Sequence, residues 1–468
     1  MNFIVIIADT LRRDHLGCYG NPWISTPHID GFAAKSLLFS NAYSGSFPTV
    51  PHRRDVLTGR FTASYTGWAP LSADEVVLPQ VLKEQDYVSM MVCDCPHILE
   101  NGYHYDRGFD GFEWIRGQET DRWKTYPEDP REECDPGKIR NAEGMRRLHR
   151  RNTAWWQYES DTFVARTMTE ACRWLEKSYR RERFFLYVDT FDPHEPWDAP
   201  QWYVDMYDPG YTGEVVDYPQ YAPTDFLTEA ELKHSRALYA AEVTLVDRWV
   251  GRLTEKIEDL GLFDDTLVIF TTDHGFLHGE HGIIGKSLIS PGRFAYVPLY
   301  EEINHIPLVI HAPGCQAGAR QAVVQPMDFM PTILGLAGAP LPKTVHGRSF
   351  AEVLRGGRDA HREFAVSSPY IGGDAVPATV TCGKWAAVIW SAPKEGRSFL
   401  DKAVDGFVKK QSAAEQREDM LFDLAADPGQ QRNVAAEHPD VLADLRRKLI
   451  GFWREVGVDK DDLRRWQR

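Results

Sequence analysis

Four short β-rich runs, Phe3 to Ala8, Phe184 to Val188, Leu267 to Thr272 and Pro307 to His311, recur along the chain with helical stretches between them. Parallel strands need long crossovers, usually helical, so this alternation predicts an α/β fold: a large, mostly parallel sheet with helices on both faces. Open sheets of that kind place their working residues at the carboxyl ends of strands. Asp9 follows the first run, Asp189 to His194 the second, and Asp273 with His274 the third.

The chain has 468 residues, about three average domains in length, and α/β units often hold more than 200 residues in one body. Residues 1–350 are expected to form the catalytic α/β domain, with 115–152, rich in charge, proline and aromatics, inserted over its active face. Residues 229–260 carry apolar positions at three- and four-residue steps without proline and predict a long amphipathic helix. Beyond 350 the pattern changes: AVPATVTCGKWAAVIW alternates like antiparallel strands, and Pro439 to Val456 reads as a closing helix. A smaller C-terminal α+β subdomain over 351–468 is therefore expected.

A formal net charge of −15 argues against nucleic acid or an anionic membrane as partner. If the substrate is an anion, the positive charge that meets it must be local. The leading apolar run is too short to cross a bilayer and has no basic leader, so it reads as a core strand. Seven cysteines at irregular spacings give no disulfide framework and suit a reducing cytoplasm. Cys93 and Cys95 form the one close pair and read as structural thiols. Assembly into a homo-oligomer is left open by the sequence.

Hard divalent cations prefer carboxylate oxygen, and a phosphoryl or sulfuryl hydrolase uses one to hold a nucleophile and a substrate oxygen. Asp9, Asp273 and His274 are the candidate ligands. A lone strand-end aspartate is more often a turn former or helix cap, but three strand ends carry residues of this type. In SFPTVPHRRDVLTGR, Ser46 to Arg60, Thr49 opens a helical stretch and Arg53 follows one turn later. A helix N-terminus favours an alkoxide and an attached anion, and an arginine can fork onto phosphate or sulfate oxygens. Taken alone, Thr49 is more often a plain helix cap.

Together these segments resemble the sulfatase family of the alkaline phosphatase superfamily. Asp9-Thr10-Leu11-Arg12 through Asp14-His15-Leu16-Gly17-Cys18-Tyr19-Gly20 is similar to the family's first metal motif, and the Thr49 segment to its nucleophile signature with Leu57-Thr58-Gly59-Arg60. Asp192-Pro193-His194-Glu195-Pro196-Trp197 resembles the histidine loop. Thr271-Thr272-Asp273-His274-Gly275, with Gly279-Glu280-His281-Gly282 and Lys286, resembles the second metal segment. Leu421-Phe422-Asp423-Leu424 with Asp427-Pro428 and Asn433 resembles the tail motif. The resemblance implies one divalent metal on Asp9, Asp273, His274 and the Thr49 oxygen, with Thr10 at the place of a further ligand. It also implies that Arg53 steadies the nucleophile, while Lys286 and His194 hold the anion and protonate the leaving oxygen. Gly282 to Ser287 superficially suggests a phosphate-binding P-loop, but Glu280 stands where that motif needs glycine.

Three departures shape the expected chemistry. Sulfatases oxidise a cysteine or serine to formylglycine; threonine carries a β-methyl and cannot become an aldehyde, so no formylglycine is expected. Threonine nucleophiles belong to the related phosphodiesterase and phosphoethanolamine transferase branches, which favours phosphate mono- or diesters or phosphonate esters as the small anionic substrate. A sulfatase acting without formylglycine and a catalytically silent anion binder are the alternatives. Thr10 replaces the family's second aspartate and His52 its serine, which lowers the ligand charge and points to Mn²⁺ or Zn²⁺ ahead of Ca²⁺. The family's lysine and histidine pair after the Met90 to Val92 strand gives way to Cys93-Asp94-Cys95-Pro96-His97, where Asp94 and His97 are candidate substrate contacts or a plain turn. Arg116, Gln118 and Glu119 are candidates for the leaving-group pocket. A two-metal site would have to draw on Asp192, His194 and His346.

Overall fold

The computed structural model describes residues 1–125, 134–290, 293–394 and 418–467. Eight strands build the main sheet: β1 (Asn2–Ala8), β2 (Leu37–Ala42), β3 (Val88–Cys93), β4 (Gly111–Trp114), β5 (Phe184–Thr190), β6 (Thr266–Thr271), β7 (Leu308–His311) and β8 (Gly318–Val324). Their order across the sheet is β8-β2-β7-β6-β1-β5-β3-β4. Every residue of β1, β5 and β6 is buried, as expected of central strands covered on both faces. Side chains alternate between two cores. Phe3, Val5, Ile7, Leu267 and Ile269 enter one, and Ile4, Ile6, Ala8, Val268 and Phe270 the other.

All four expected strands are present, and the mostly parallel sheet is observed, with one correction inside it. β7, expected to join the parallel set, pairs antiparallel with both β6 and β2. The connection from β6 to β7 makes no crossover to the far end of the sheet, so the chain returns in the opposite direction. That connection holds Asp273, His274 and Lys286 at the carboxyl end of the sheet.

Helix α1 (Thr49–Thr58) is buried along its whole length, and α2 (Phe163–Ser178) packs against the long α3 (Glu229–Asp259). The expected helix over 229–260 thus forms, started by a capping box: Thr228 Oγ1 accepts from the Glu231 amide at 3.2 Å, and Glu231 Oε2 from the Thr228 amide at 2.9 Å. The C-terminal strands β9 (Ala365–Ser367), β10 (Pro377–Cys382), β11 (Trp385–Trp390) and β12 (Met420–Asp423) form an antiparallel sheet beside α4 (Pro439–Glu455). Its core is shared with Phe61, Ala63 and Met327 of the preceding region. Part of the expected insertion, residues 126–133, lies outside the described residues.

The loop before α1 is tied down from both sides. The Phe47 amide donates to the Ser368 carbonyl at 2.9 Å, beside the C-terminal sheet. Asp55, inside α1, accepts from the Ser46 and Thr62 amides at 2.8 Å each, and Ser46 Oγ accepts from the Ala63 amide at 2.8 Å. Gly59 ends α1 with φ +65°, a left-handed cap conformation, and donates to the Asp55 carbonyl. Replacing Asp55→Ala would strand two buried amides, at a cost of about 2–5 kcal/mol. Thermal and urea unfolding of D55A should show that loss; an unchanged midpoint would mean the loop is held by other contacts.

Candidate active site

β5, β1 and β6 are neighbours, so Asp189, Asp9 and Asp273 converge at one end of the sheet. Arg53 is fully buried among them. Its Nε and Nη2 donate to the two oxygens of Asp189 at 3.0 and 2.8 Å. Its Nη1 lies 2.9 Å from Asp9 Oδ2 and also donates to Asp273 Oδ2. Both edges of the guanidinium are therefore in use, and Arg53 does not line the cavity described below. The expectation that it forks onto substrate is corrected: it positions carboxylates. Thr49 stands four residues earlier, on the same face of α1 one turn nearer its N-terminus.

Asp9, Asp273 and His274 bring donor atoms within 4.8 Å of one another, all buried. His274 Nδ1 faces the Gly275 carbonyl at 3.0 Å, which makes Nδ1 the protonated nitrogen and leaves Nε2 with its lone pair. Lys286 Nζ is 3.4 Å from that Nε2 and 3.4 Å from Thr10 Oγ1. Thr10, held at φ +61°, donates its hydroxyl to Asp9 Oδ1 at 2.6 Å, and its amide donates to Asp273 Oδ1 at 3.0 Å. The ligand role expected of Thr10 gives way to orientation of the two carboxylates.

Burial, reinforced by the Asp273 charge, pushes the Asp9 carboxyl well above the usual range. Asp273 bears the same burial cost, yet positive charge from His274 and Arg53 holds it well below. His274 is itself driven down to about 3 by burial. At neutral pH, then, Arg53 and Lys286 are the cations that keep Asp273 ionised. Three carboxylates thus share limited positive charge, and Asp9 Oδ2 accepts no well-formed hydrogen bond. Asp9 Oδ2, an imidazole nitrogen left unprotonated on His274 and the Asp273 carboxylate together fit a single divalent cation. The set considered for a second cation is dispersed. Asp192 accepts from Gln118 Nε2 at 2.8 Å and the Val164 amide at 3.0 Å, while His346 Nδ1 accepts from the Phe61 amide at 3.0 Å.

A cavity of about 340 Å³ opens beside this cluster. Thr49, His97, Glu119, Arg140, His194 and Lys286 line its polar part, and Trp68, Phe294 and Tyr370 are among its aromatic walls. His194 Nδ1 faces the Glu195 carbonyl at 2.6 Å, and burial together with Lys286 pushes this histidine well below its ordinary value. His194 is therefore neutral, with Nε2 an acceptor, which does not support the acid role expected of it. Three further expectations are corrected. Asp94 is buried and accepts from Thr167 Oγ1 at 2.6 Å, Thr190 Oγ1 at 2.9 Å and the Phe191 amide, so it pins the turn after β5. Arg116 pairs with Asp121 at 2.6 Å over the Trp114 ring, and Gln118 holds Asp192; neither lines the cavity.

Sequence reasoning missed Asp189 as the partner of Arg53, although its strand-end position was visible. It also missed Arg140, whose guanidinium lies between the rings of Tyr218 and Tyr221, 4.3 and 4.4 Å from their centroids. Arg140 Nη2 reaches Glu119 at 3.1 Å and Glu195 at 2.7 Å. Nothing in the local pattern of a charged, proline-rich segment singles out that arginine.

The sequence profile of the family described as Sulfatase matches residues 1–339. The chain belongs to the sulfatase family. Among its sulfatase relatives is an ulvan-active sulfatase from Formosa agariphila, 25% identical over 97% of this chain and 81% of that protein. Another is the arylsulfatase A of Homo sapiens, 28% identical over 95% and 86%. The phosphonate monoester hydrolase of Agrobacterium radiobacter has a similar fold, with a TM-score of 0.72, 20% identity and coverage of 97% and 96%. Among the described residues no helix is long and apolar enough to cross a membrane.

The donor set predicts that Mn²⁺ or Zn²⁺ stabilises chelator-treated protein by about 2.7 kcal/mol at a hundredfold excess over Kd, read as a higher unfolding midpoint. The doubly substituted D273N/H274A protein should not respond. An equal response from both proteins would place the cation elsewhere.

Proposed function

We propose that this sulfatase-family protein hydrolyses phosphate mono- or diesters or phosphonate esters through a covalent intermediate on Thr49. The observation that carries the reading is the position of Thr49. It is the first residue of α1 and lines the same cavity as Lys286, whose Nζ reaches His274 of the carboxylate cluster. Asp9, Asp273 and His274 would hold one divalent cation, which supplies Lewis-acid stabilisation of oxyanion charge.

The chain's own groups account for the remaining steps. Thr49 Oγ, as the alkoxide, forms a bond to phosphorus while the bond to the ester oxygen breaks, the electron pair staying on the departing oxygen, which takes up a proton to become the alcohol. The unsatisfied amides at the start of α1 and the positive charge of Lys286 face the anion, and Arg53 keeps two carboxylates fixed behind it. Neutral His194 offers an acceptor nitrogen. Water then cleaves the phosphothreonine.

Family membership favours a second reading, sulfate ester hydrolysis without formylglycine. Threonine cannot supply the aldehyde hydrate that lets a sulfatase release sulfate by C–O cleavage, and this supports the phosphoryl reading over it. A reducing, cytoplasmic setting is proposed with it, supported by seven cysteines among which no disulfide forms.

An assay panel of aryl phosphate, phosphate diester, phosphonate and sulfate esters with Mn²⁺, Zn²⁺ and Ca²⁺ separates the readings. Turnover of phosphorus esters lost in T49A and reduced about 10²- to 10³-fold in K286A is the expected result. Turnover of sulfate esters alone would establish the second reading. No turnover with any ester would leave an anion-binding homologue.

A further inference from the structure

Neutral His194 leaves open which group delivers a proton to the departing alcohol, and the cavity wall holds another imidazole. His97 Nε2 lies 2.7 Å from Glu119 Oε2, and among the described residues Nδ1 of the same ring has no protein partner. Glu119 is buried, and its orientation is fixed by Arg140 at 3.1 Å and by the Tyr218 hydroxyl, which donates to its other oxygen. Phe191 packs against His97 and His194 alike, at ring-centroid distances of 5.4 and 4.0 Å, so the two imidazoles flank one aromatic side chain. His97 also borders a second recess, of about 250 Å³, with Glu100, Thr120 and Arg122, which gives the ring a route to solvent protons.

We propose that His97, anchored by Glu119, is the acid that protonates the leaving-group oxygen. This rests on the ester hydrolase reading above and adds to it a residue and a partner. The carboxylate fixes Nε2–H and compensates the charge of the doubly protonated ring, a carboxylate–histidine arrangement that leaves Nδ1–H to act. As the bond between phosphorus and the ester oxygen breaks, its electron pair stays on that oxygen, which takes the Nδ1 proton. The ring is then neutral. In the second half, water bonds to phosphorus and gives one proton to Nδ1, while the pair of the breaking bond remains on Thr49 Oγ as the alkoxide that began the cycle. The proton count closes on one histidine.

The charged and titratable groups facing the ring are Glu119 from the insertion, Glu100 from its own loop and, beyond Glu119, Arg140; Trp68 and Phe191 supply aromatic contacts. Burial pushes Glu100 up, whereas Glu119 overcomes the same cost through His97 and Arg140, which hold it well below its ordinary value. Glu119 is therefore the partner carrying the fixed negative charge.

The test is a leaving-group series of aryl and alkyl phosphate esters, assayed with the wild type, H97N and E119Q in the same metal. An acid matters little for 4-nitrophenolate, which departs unaided, and much for an alkoxide. H97N should lose less than about 10-fold on the 4-nitrophenyl ester and about 10²- to 10⁴-fold on alkyl esters. E119Q should steepen the dependence in the same direction, and free imidazole should restore alkyl ester turnover to H97A. A uniform loss across the series, or no loss, overturns the assignment while leaving the hydrolase reading intact. Absence of turnover in the wild type overturns both.

Discussion

A guanidinium sealed from water must find its compensating charge inside the protein, and Arg53 finds it in three aspartates contributed by three adjacent strands. Burying such a group is costly unless its donors are met, and loss of one partner leaves an uncompensated charge worth about 3–5 kcal/mol. The arrangement therefore constrains the fold in two directions. It requires β5, β1 and β6 to lie side by side with Asp189, Asp9 and Asp273 at their carboxyl ends, and it holds α1 against those ends. Because Thr49 and Arg53 are one helical turn apart, fixing the arginine also fixes the rotation of the helix, and with it the wall on which Thr49 stands.

The electrostatics follow from the same anchor. The chain as a whole is acidic, at −15, so long-range attraction of an anion is not its means of binding one. Positive character comes from Lys286, the first turn of α1, Arg140 on the cavity wall and, behind the carboxylates, Arg53. Deep burial keeps His274 and His194 neutral, each with Nδ1 tied to a backbone carbonyl, so both present lone pairs. One adjoins the carboxylate cluster and the other lines the cavity beside Thr49. Their chemistry is set by hydrogen bonds to neighbouring backbone rather than by residue type.

The main sheet was legible because its central strands are continuous β-branched and aromatic runs, and α3 because its apolar spacing persists for eight turns. The reversal of β7 was not, since strand direction depends on where a connection returns and Pro307 to His311 is too short to carry that information. At the site, Asp9, Thr49, Asp273, His274, His194 and Lys286 were visible through position and motif order. The errors share one cause. Asp94, Arg116 and Gln118 are polar residues near the site that spend their hydrogen bonds on the scaffold, and Arg53 does the same at its centre. A sequence shows which groups can donate or accept; it does not show which are already satisfied. Arg140 illustrates the converse, a residue in a charge-rich stretch whose meaning comes only from two tyrosines more than 70 residues away.

On the proposal that Thr49 is the nucleophile, threonine changes what the rest of the site must do. An aldehyde hydrate carries a second hydroxyl whose proton can be removed to expel the bound anion, so release needs no attack on the central atom. A phosphothreonine has no such hydroxyl, and its breakdown needs water delivered to phosphorus with a base to take the proton. The residue that gave its proton to the alcohol in the first half is then in the protonation state required for the second. A histidine held by one carboxylate and open at its other nitrogen meets that demand. His194, with Nδ1 occupied and its ring held neutral, does not. His97 lies in the segment where the sulfatase resemblance expected a lysine and histidine, with Glu119 reaching it from the insertion, and on the phosphoryl reading the two departures are chemically connected: a nucleophile without an internal means of release calls for an external proton carrier.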